Sequence, residues 1–349
     1  MSSKRQYEDI MKILFRVEAT PELGSGHLMR CLALAEKLKE SVSDVDITFI
    51  TSSNAVSEQV KSYDYKLINL PSSKNMIEKI RYYEKYLKKA IFITDTPDIP
   101  DGYLKTLKKK VCLLVSIDDG SDTIFYSDIL INPNLNPNIN HSYSLRTQYY
   151  SGAKYVILKK AFEKYAVKKK QIKRGVKSLF ICFGGSDRNN ITQKIVNMIR
   201  EMDVNITVVI GMMYPYYNEL VKDLKEHRNI QIKRDAHNMD ELIYDADLAI
   251  TSGGTLLYET CAIGTPAIVI CQNQEQNRES EFFTENNAAI NLGSFDNINE
   301  DIARDTVIKL ISDYDKRELL SKNARQLIDG RGADRIVNII LKEYLERCV

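Results

Sequence analysis

Short runs rich in Val, Ile and Phe recur along this chain, and stretches with the spacing of an amphipathic helix separate them. In the first half, the runs at residues 11–15, 46–50, 65–70, 90–93 and 111–117 predict strands, while 28–39 and 75–89 predict helices. A further short strand is expected at 129–132. Strands that are apolar throughout, rather than alternating, are those covered on both faces, so the pattern predicts βα units around a parallel sheet. From 159 to 177 the rhythm gives way to a basic stretch, KKAFEKYAVKKKQIKRGVK, which reads as a solvated linker. The alternation then restarts. Strands are predicted at 178–183, 206–210, 230–232, 248–251 and 267–271, with helices near 190–201, 216–227, 239–245 and 255–263. Helical segments at 300–312, 315–327 and 334–347 complete the chain.

This order of elements predicts an α/β protein with two Rossmann-like domains facing a cleft. The N-terminal domain is expected over residues 1–160, a linker over 161–176, and the C-terminal domain over 177–349. A length of 349 residues suits two cores rather than one. The 49 basic residues nearly balance the 47 acidic ones, for a net charge of +2, which gives no reason to expect nucleic acid or an anionic membrane as partner. A small anion needs only a local positive site, which net charge does not exclude. No apolar stretch approaches the roughly 20 residues of a membrane span. The polar first ten residues read as a frayed leader rather than a signal peptide. Of the six cysteines, Cys31, Cys112, Cys182, Cys261 and Cys271 lie in apolar segments without metal-ligand spacing, and buried reduced thiols in a cytoplasmic protein are expected.

In doubly wound sheets, ligands bind outside the carboxyl ends of the strands, so the loops that follow strands carry the chemistry. The first of them, RVEATPELGSGHLMRCLALAEKL, places Gly24 and Gly26 before a helix that begins at His27. Glycines allow a sharp turn and a close backbone approach, and the helix N-terminus offers N–H groups. That terminus disfavours imidazolium, which leaves His27 competent as a base near neutral pH. The second loop, GGSDRNN, puts Gly184, Gly185, Ser186 and Asp187 at a strand-to-helix turn fit for a phosphate or a sugar hydroxyl, with Asn190 or Thr192 at the helix start. An ordinary well-capped turn would look the same. A third, SGGTLLYETCAIG, opens a helix at Ser252, Gly253, Gly254 and Thr255, a cradle for a diphosphate. Glu259 follows one turn further on the same face, where a carboxylate can take both ribose hydroxyls. The amides of Gln272, Asn273 and Gln274 end the next strand and suit a sugar. There is no GxxxxGK[ST], no GxGxxG with its acidic partner, no GxSxG, and no HxxxH or carboxylate triad; neither cofactor nor metal is expected.

Taken in order, these motifs carry a resemblance. The GSGH segment, FGGSDRNNIT, MDELIYDADLAITSGGTLLYETCAIGTPAIVI and NQEQN are similar to the hydrolases of pseudaminic acid biosynthesis, which cleave UDP-2,4-diacetamido-2,4,6-trideoxy-β-L-altropyranose. SGAKYVILKKAF and GRGADRIVN fit as well, so the resemblance spans residues 11 to 345 and extends to the spore coat polysaccharide proteins of the wider group. It implies a glycosyltransferase-B-like fold related to the N-acetylglucosaminyltransferase of peptidoglycan synthesis. In that fold the C-terminal half binds UDP and the last helix commonly crosses back to the N-terminal half. It further implies that His27 is the base that activates water against the sugar C1. Arg16, Gly24, Gly26, Arg30, Asp95, Gly184, Gly185, Ser186, Asn273 and Gln274 are then expected at the sugar, and Ser252, Gly253, Gly254, Thr255 and Glu259 at the nucleotide.

One position departs from the family. Where it has Asp-His-Tyr, this chain reads Asp95–Thr96–Pro97, and Tyr103 stands six positions late. Lys160 replaces a frequent arginine. Three readings follow: the hydrolase; an inverting glycosyltransferase, or a hydrolase, acting on a different nucleotide-sugar; and a non-catalytic binder, which would have no use for a base at His27.

Overall fold

The structure is a computed structural model that describes residues 10–18, 26–72, 75–96, 99–100, 102–118, 123–135 and 142–348. The chain forms two compact units, Met1–Lys160 together with Arg331–Val349, and Ala161–Gly330.

The first unit contains β1 (Met11–Val17), β2 (Val45–Thr51), β3 (Lys66–Asn69), β4 (Ile91–Asp95), β5 (Leu113–Ile117), β6 (Ile124–Phe125), β7 (Ile129–Asn132), β8 (Ser142–Tyr143) and β9 (Gln148–Ser151). Seven of these form one sheet in the order β3-β2-β1-β4-β5-β7-β9, all pairings parallel, and β6 and β8 pair separately. Central β1, β4 and β5 are largely apolar and, apart from Lys12, buried on both faces, which is why they are legible as runs. One face is covered by the helices Gly26–Ser41 and Gly332–Cys348, and the other by side chains such as Ile80, Tyr83, Leu87, Tyr103 and Leu107. The helix expected at 75–89 is three short pieces, Met76–Lys79, Ile80–Tyr82 and Glu84–Leu87. The break falls where Tyr83 (φ −127°) turns its ring against Phe92 and its hydroxyl to Tyr103, 2.9 Å away.

The final helix, Gly332–Cys348, belongs to this first unit and buries Ile336, Val337, Ile340 and Leu341 in its core. Each such side chain contributes about 1.5–3 kcal/mol on burial. The helix begins at Gly332, where a Cβ would overlap the Val156 carbonyl, so the close approach of these two segments requires glycine. Its last residue, Cys348, is disulfide-bonded to Cys112, which corrects the expectation of a reduced Cys112; Cys31, Cys182, Cys261 and Cys271 are free and buried.

The second unit contains β10 (Ser178–Cys182), β11 (Asn205–Ile210), β12 (Ile230–Arg234), β13 (Leu248–Thr251), β14 (Ala267–Cys271) and β15 (Ile290–Ser294). They form a parallel sheet in the order β12-β11-β10-β13-β14-β15. Strand order reverses between β10 and β13, and it is outside such a switch point that α/β sheets bind ligands.

The basic stretch is not a loose linker. Residues Lys160–Val167 form a helix, and the following segment is tied down by its own carbonyls. Arg317, with no exposed surface, donates to the carbonyls of Lys173 and Arg174 (2.9 and 2.7 Å) and to those of Leu310 and Ile311. Arg325 takes the carbonyls of Ala166 and Lys168. Charge in the sequence suggested solvation, whereas backbone acceptors, which no composition reveals, decide the outcome. Among the described residues no helix is long and apolar enough to cross a membrane, and no cluster of His, Cys, Asp and Glu could hold a metal ion.

Candidate active site

In the first unit the chemistry gathers at the carboxyl ends of β1 and β4. His27 is the second residue of the helix Gly26–Ser41, so its ring projects from the first turn, with its side chain 20% exposed. Its Nδ1 lies 2.7 Å from Oδ1 of Asp95, the last residue of β4. Arg30, one turn along the helix, donates Nε to Asp95 Oδ2 (2.5 Å) and Nη2 to Oδ1 (2.6 Å). Burial alone would raise the Asp95 carboxyl; the Arg30 charge, its hydrogen bonds and His27 outweigh that and bring it down to about 2. An ionised carboxylate only accepts. The network therefore assigns the proton of His27 to Nδ1 and the basic lone pair to Nε2. Arg30 Nη2 also stands 2.9 Å from Nδ1, a contact offset by the carboxylate that both share. The thiol of Cys31, 3.5 Å from Asp95 Oδ2, is pushed well up by burial and by that same charge.

Two residues expected at the sugar are buried here. Asp95 has no exposed surface, and its carboxylate is taken up by His27 and Arg30. Arg16 is 1% exposed, with Nη1 on the carbonyls of Val17 and Ile50 and Nη2 on Glu18 (2.6 Å), which makes it part of the sheet's buried framework. Gly26 opens the helix, and Gly24 lies outside the described residues. Thr96 is buried, its hydroxyl 3.4 Å from that of Thr94, and Pro97 lies outside the described residues. Tyr103 is fully buried against Tyr83, so it cannot stand in for the missing tyrosine.

Glu18 was not singled out from the sequence. It receives Arg16, the Thr51 hydroxyl (2.8 Å) and the Ser52 amide (3.0 Å), and these hold its carboxyl below the usual range against the opposing effect of burial. The signal was available: Arg16 and Glu18 are two apart at a strand end and so share a face.

In the second unit the loops after β10, β13 and β14 are brought together at neighbouring strand ends. Gly184 (φ +86°) and the exposed Gly185 turn the chain after β10, with Ser186 half-buried beside them. A Cβ on Gly211, after β11, would overlap the Gly185 backbone, so these two loops touch main chain to main chain. Asp187 accepts the amides of Ile191 (3.0 Å) and Thr192 (2.8 Å). The first free amides of that helix start are therefore taken by the protein's own carboxylate, as in an ordinary capped turn.

The third loop is different. The helix Thr255–Ile263 starts at Gly254 with no side-chain cap, and Thr255 is exposed. Its first-turn amides and dipole suit an anion. Ser252 and Gly253 are buried beneath it. Glu259 is 8% exposed and lies close to Cys182 at the end of β10. Burial pushes the Cys182 thiol up to about 12, with Glu259 and Asp187 adding to the effect and a Gly184 backbone hydrogen bond opposing it. The Gln272 side chain donates to the Phe183 carbonyl, which fastens the β14 loop to the β10 loop, and its backbone N–H donates to Gln276 Oε1 (3.0 Å). Asn273 caps the helix Gln274–Glu285 through Oδ1 (2.9 Å to the Gln276 amide), and Gln274 is exposed. Gln276, not singled out from the sequence, also faces Gly254.

Gly253 is the tightest point of the cradle. A Cβ there would overlap Ser280 Oγ and lie 2.9 Å from the Gln276 carbonyl. Gly253→Ala is expected to cost about 1–3 kcal/mol of stability by overpacking, read by denaturant unfolding. Unchanged stability would show that the loop yields freely.

Comparison with known proteins agrees with this architecture. Residues 179–334 match the glycosyltransferase family 28 C-terminal domain. The uncharacterized protein MJ1062 of Methanocaldococcus jannaschii is 31% identical over 280 residues, covering 76% of this chain and 57% of its own length, so the match spans little more than half of that relative. The spore coat polysaccharide biosynthesis protein SpsG of Bacillus subtilis is 27% identical, covering 93% of this chain and 96% of its own. The UDP-2,4-diacetamido-2,4,6-trideoxy-beta-L-altropyranose hydrolase of Campylobacter jejuni is 25% identical, with 76% and 94% covered. Among solved structures, Acinetobacter baumannii MurG superposes with a TM-score of 0.67 at 12% identity, covering 95% of this chain and 99% of MurG. Anabaena HepE, solved with UDP-glucose, gives 0.57 at 11% identity, with 95% and 99% covered. The chain thus has the glycosyltransferase-B fold, with a family 28 C-terminal domain match in its second unit.

Proposed function

We propose that this protein is a nucleotide-sugar hydrolase that releases UDP from a UDP-linked diacetamido-trideoxy sugar, in nonulosonic (pseudaminic-type) acid or surface polysaccharide biosynthesis. The observation that carries the reading is the His27–Asp95–Arg30 array, in which a buried carboxylate fixes the imidazole with Nε2 basic. In this reading the uncapped helix start at Gly254–Thr255 holds the diphosphate and Glu259 the ribose. Nε2 of His27 takes a proton from water as its oxygen bonds to the sugar C1. The C1–O bond to the diphosphate breaks, and UDP leaves with the bonding pair, its charge stabilised by backbone N–H groups. The name of the Campylobacter relative supports the substrate class, and that of the Bacillus relative supports a place in surface polysaccharide biosynthesis.

The test is UDP release from UDP-2,4-diacetamido-2,4,6-trideoxy-β-L-altropyranose without any acceptor. Prompt release supports the hydrolase. The buried Thr96, where the family has histidine, favours as second reading an inverting transferase or a hydrolase for another nucleotide-sugar. Binding of UDP without release from this sugar would select it. Glu259→Ala is expected to weaken UDP by about 1–3 kcal/mol, measured by calorimetry; an unaltered affinity would remove Glu259 from the nucleotide site.

A further inference from the structure

A cavity of about 1090 Å³ lies in the second unit where residues 169–172 cross the helix Tyr314–Leu327. It is separate from the strand-end loops described above. Lys170 in its wall reaches the carbonyls of Tyr244 and Ala246 (2.7 Å for the latter), just before β13 begins, whereas the Gly253–Thr255 loop follows the other end of that strand.

The wall is unusual in its charge. Lys170 is only 7% exposed, and burial lowers its ammonium to about 8, so it remains cationic at neutral pH. Arg325, also in the wall, spends its guanidinium on the carbonyls of Lys168 (2.9 Å), Ile263 (3.2 Å) and Ala166 (3.3 Å). Carbonyl oxygens satisfy the hydrogen bonds of these two cations; Asp247 and Asp245 offset the Lys170 charge only in part and from beyond ion-pair distance, and neither cation is ion-paired to a carboxylate among the described residues. Lys169 and Lys322 add two more cations to the lining, and Asp315 and Glu318 are its two carboxylates. The balance is two positive charges, which matches a phosphate monoester dianion. The volume far exceeds a bare phosphate, and Ile172 and Leu319 supply apolar wall for an organic group.

We propose that this cavity binds a small phosphate monoester, at a site distinct from the nucleotide loops. The probe is phenyl phosphate, titrated calorimetrically into the full-length protein with UDP present to occupy the other site, and inorganic phosphate serves as the second arm. Saturable one-to-one binding of phenyl phosphate is expected, weakened about tenfold or more by Lys169→Glu and by Lys322→Glu. These two changes should leave UDP affinity as it is. Lys170→Met should abolish binding, and circular dichroism will show whether it still folds; the two surface variants decide the matter if it does not. Equal affinity for inorganic phosphate would support the anion site and assign it to the free ion. No saturable binding to the wild type, or binding indifferent to both charge reversals, overturns the proposal.

Discussion

His27→Ala is expected to reduce UDP release by about 10²–10⁴-fold while leaving UDP affinity within twofold of the wild type. The size follows from the weakness of water as a nucleophile. Without a base, the attacking oxygen keeps its proton until after it has bonded to C1, and the loss falls on the transition state alone. The selectivity follows from placement. His27 belongs to the unit that ends at Lys160 and resumes at Arg331, while the nucleotide is assigned to loops of the other. A loss of turnover matched by a loss of UDP affinity would mean that the substitution disturbed binding, and undiminished turnover would remove His27 from the mechanism. Asp95, with its carboxyl near 2, stays ionised across the working range.

Asp95→Asn is expected to be the most destabilising single change at this site, by about 3–5 kcal/mol. The substitution is nearly isosteric, so the cost is electrostatic. Arg30, whose side chain is only 14% exposed, would keep its charge in a pocket built to offset it, and the Asn amide would turn a donor toward either Arg30 or His27. The sign with pH follows from the same pairing. The folded carboxyl, near 2, lies below its ordinary 3.8, so its stabilisation is fully present above about pH 4 and is lost as pH falls toward 2. Denaturant unfolding of wild type and variant at pH 7 and at pH 2.5 checks both statements: the gap should be large at pH 7 and much smaller at pH 2.5. Replacing both Asp95 and Arg30 by neutral residues should recover part of the loss, because no uncompensated charge then remains. A gap independent of pH would assign the effect to packing.

Much of this architecture could be read from the chain itself, for reasons rooted in burial. Strands covered on both faces are apolar at most positions, so β1, β4, β5, β10, β13 and β14 stand out as runs. Edge strands carry no such demand. The half-exposed β9 (QYYS) and β15 (INLGS) therefore passed unnoticed, as did the short helix Tyr103–Lys108. Glycine-rich loops before helices were equally legible, since few other residues allow the backbone to turn and approach a ligand there.

What the sequence could not decide is which polar residue faces a ligand and which faces the protein. Arg16 and Asp95 sit at strand ends next to the expected site, yet both point inward, because Glu18 and Arg30 are close enough in space to neutralise them. Asp187 looks like a ligand contact until its two amide partners are seen. The basic stretch after Lys160 looks solvated until Arg317 and Arg325 are found on its carbonyls. Apolar burial is written residue by residue, and periodicity reports it directly. Satisfaction of a polar group depends on partners far away in sequence, 159 residues for Arg325 and the Ala166 carbonyl, and only the tertiary fold brings those together.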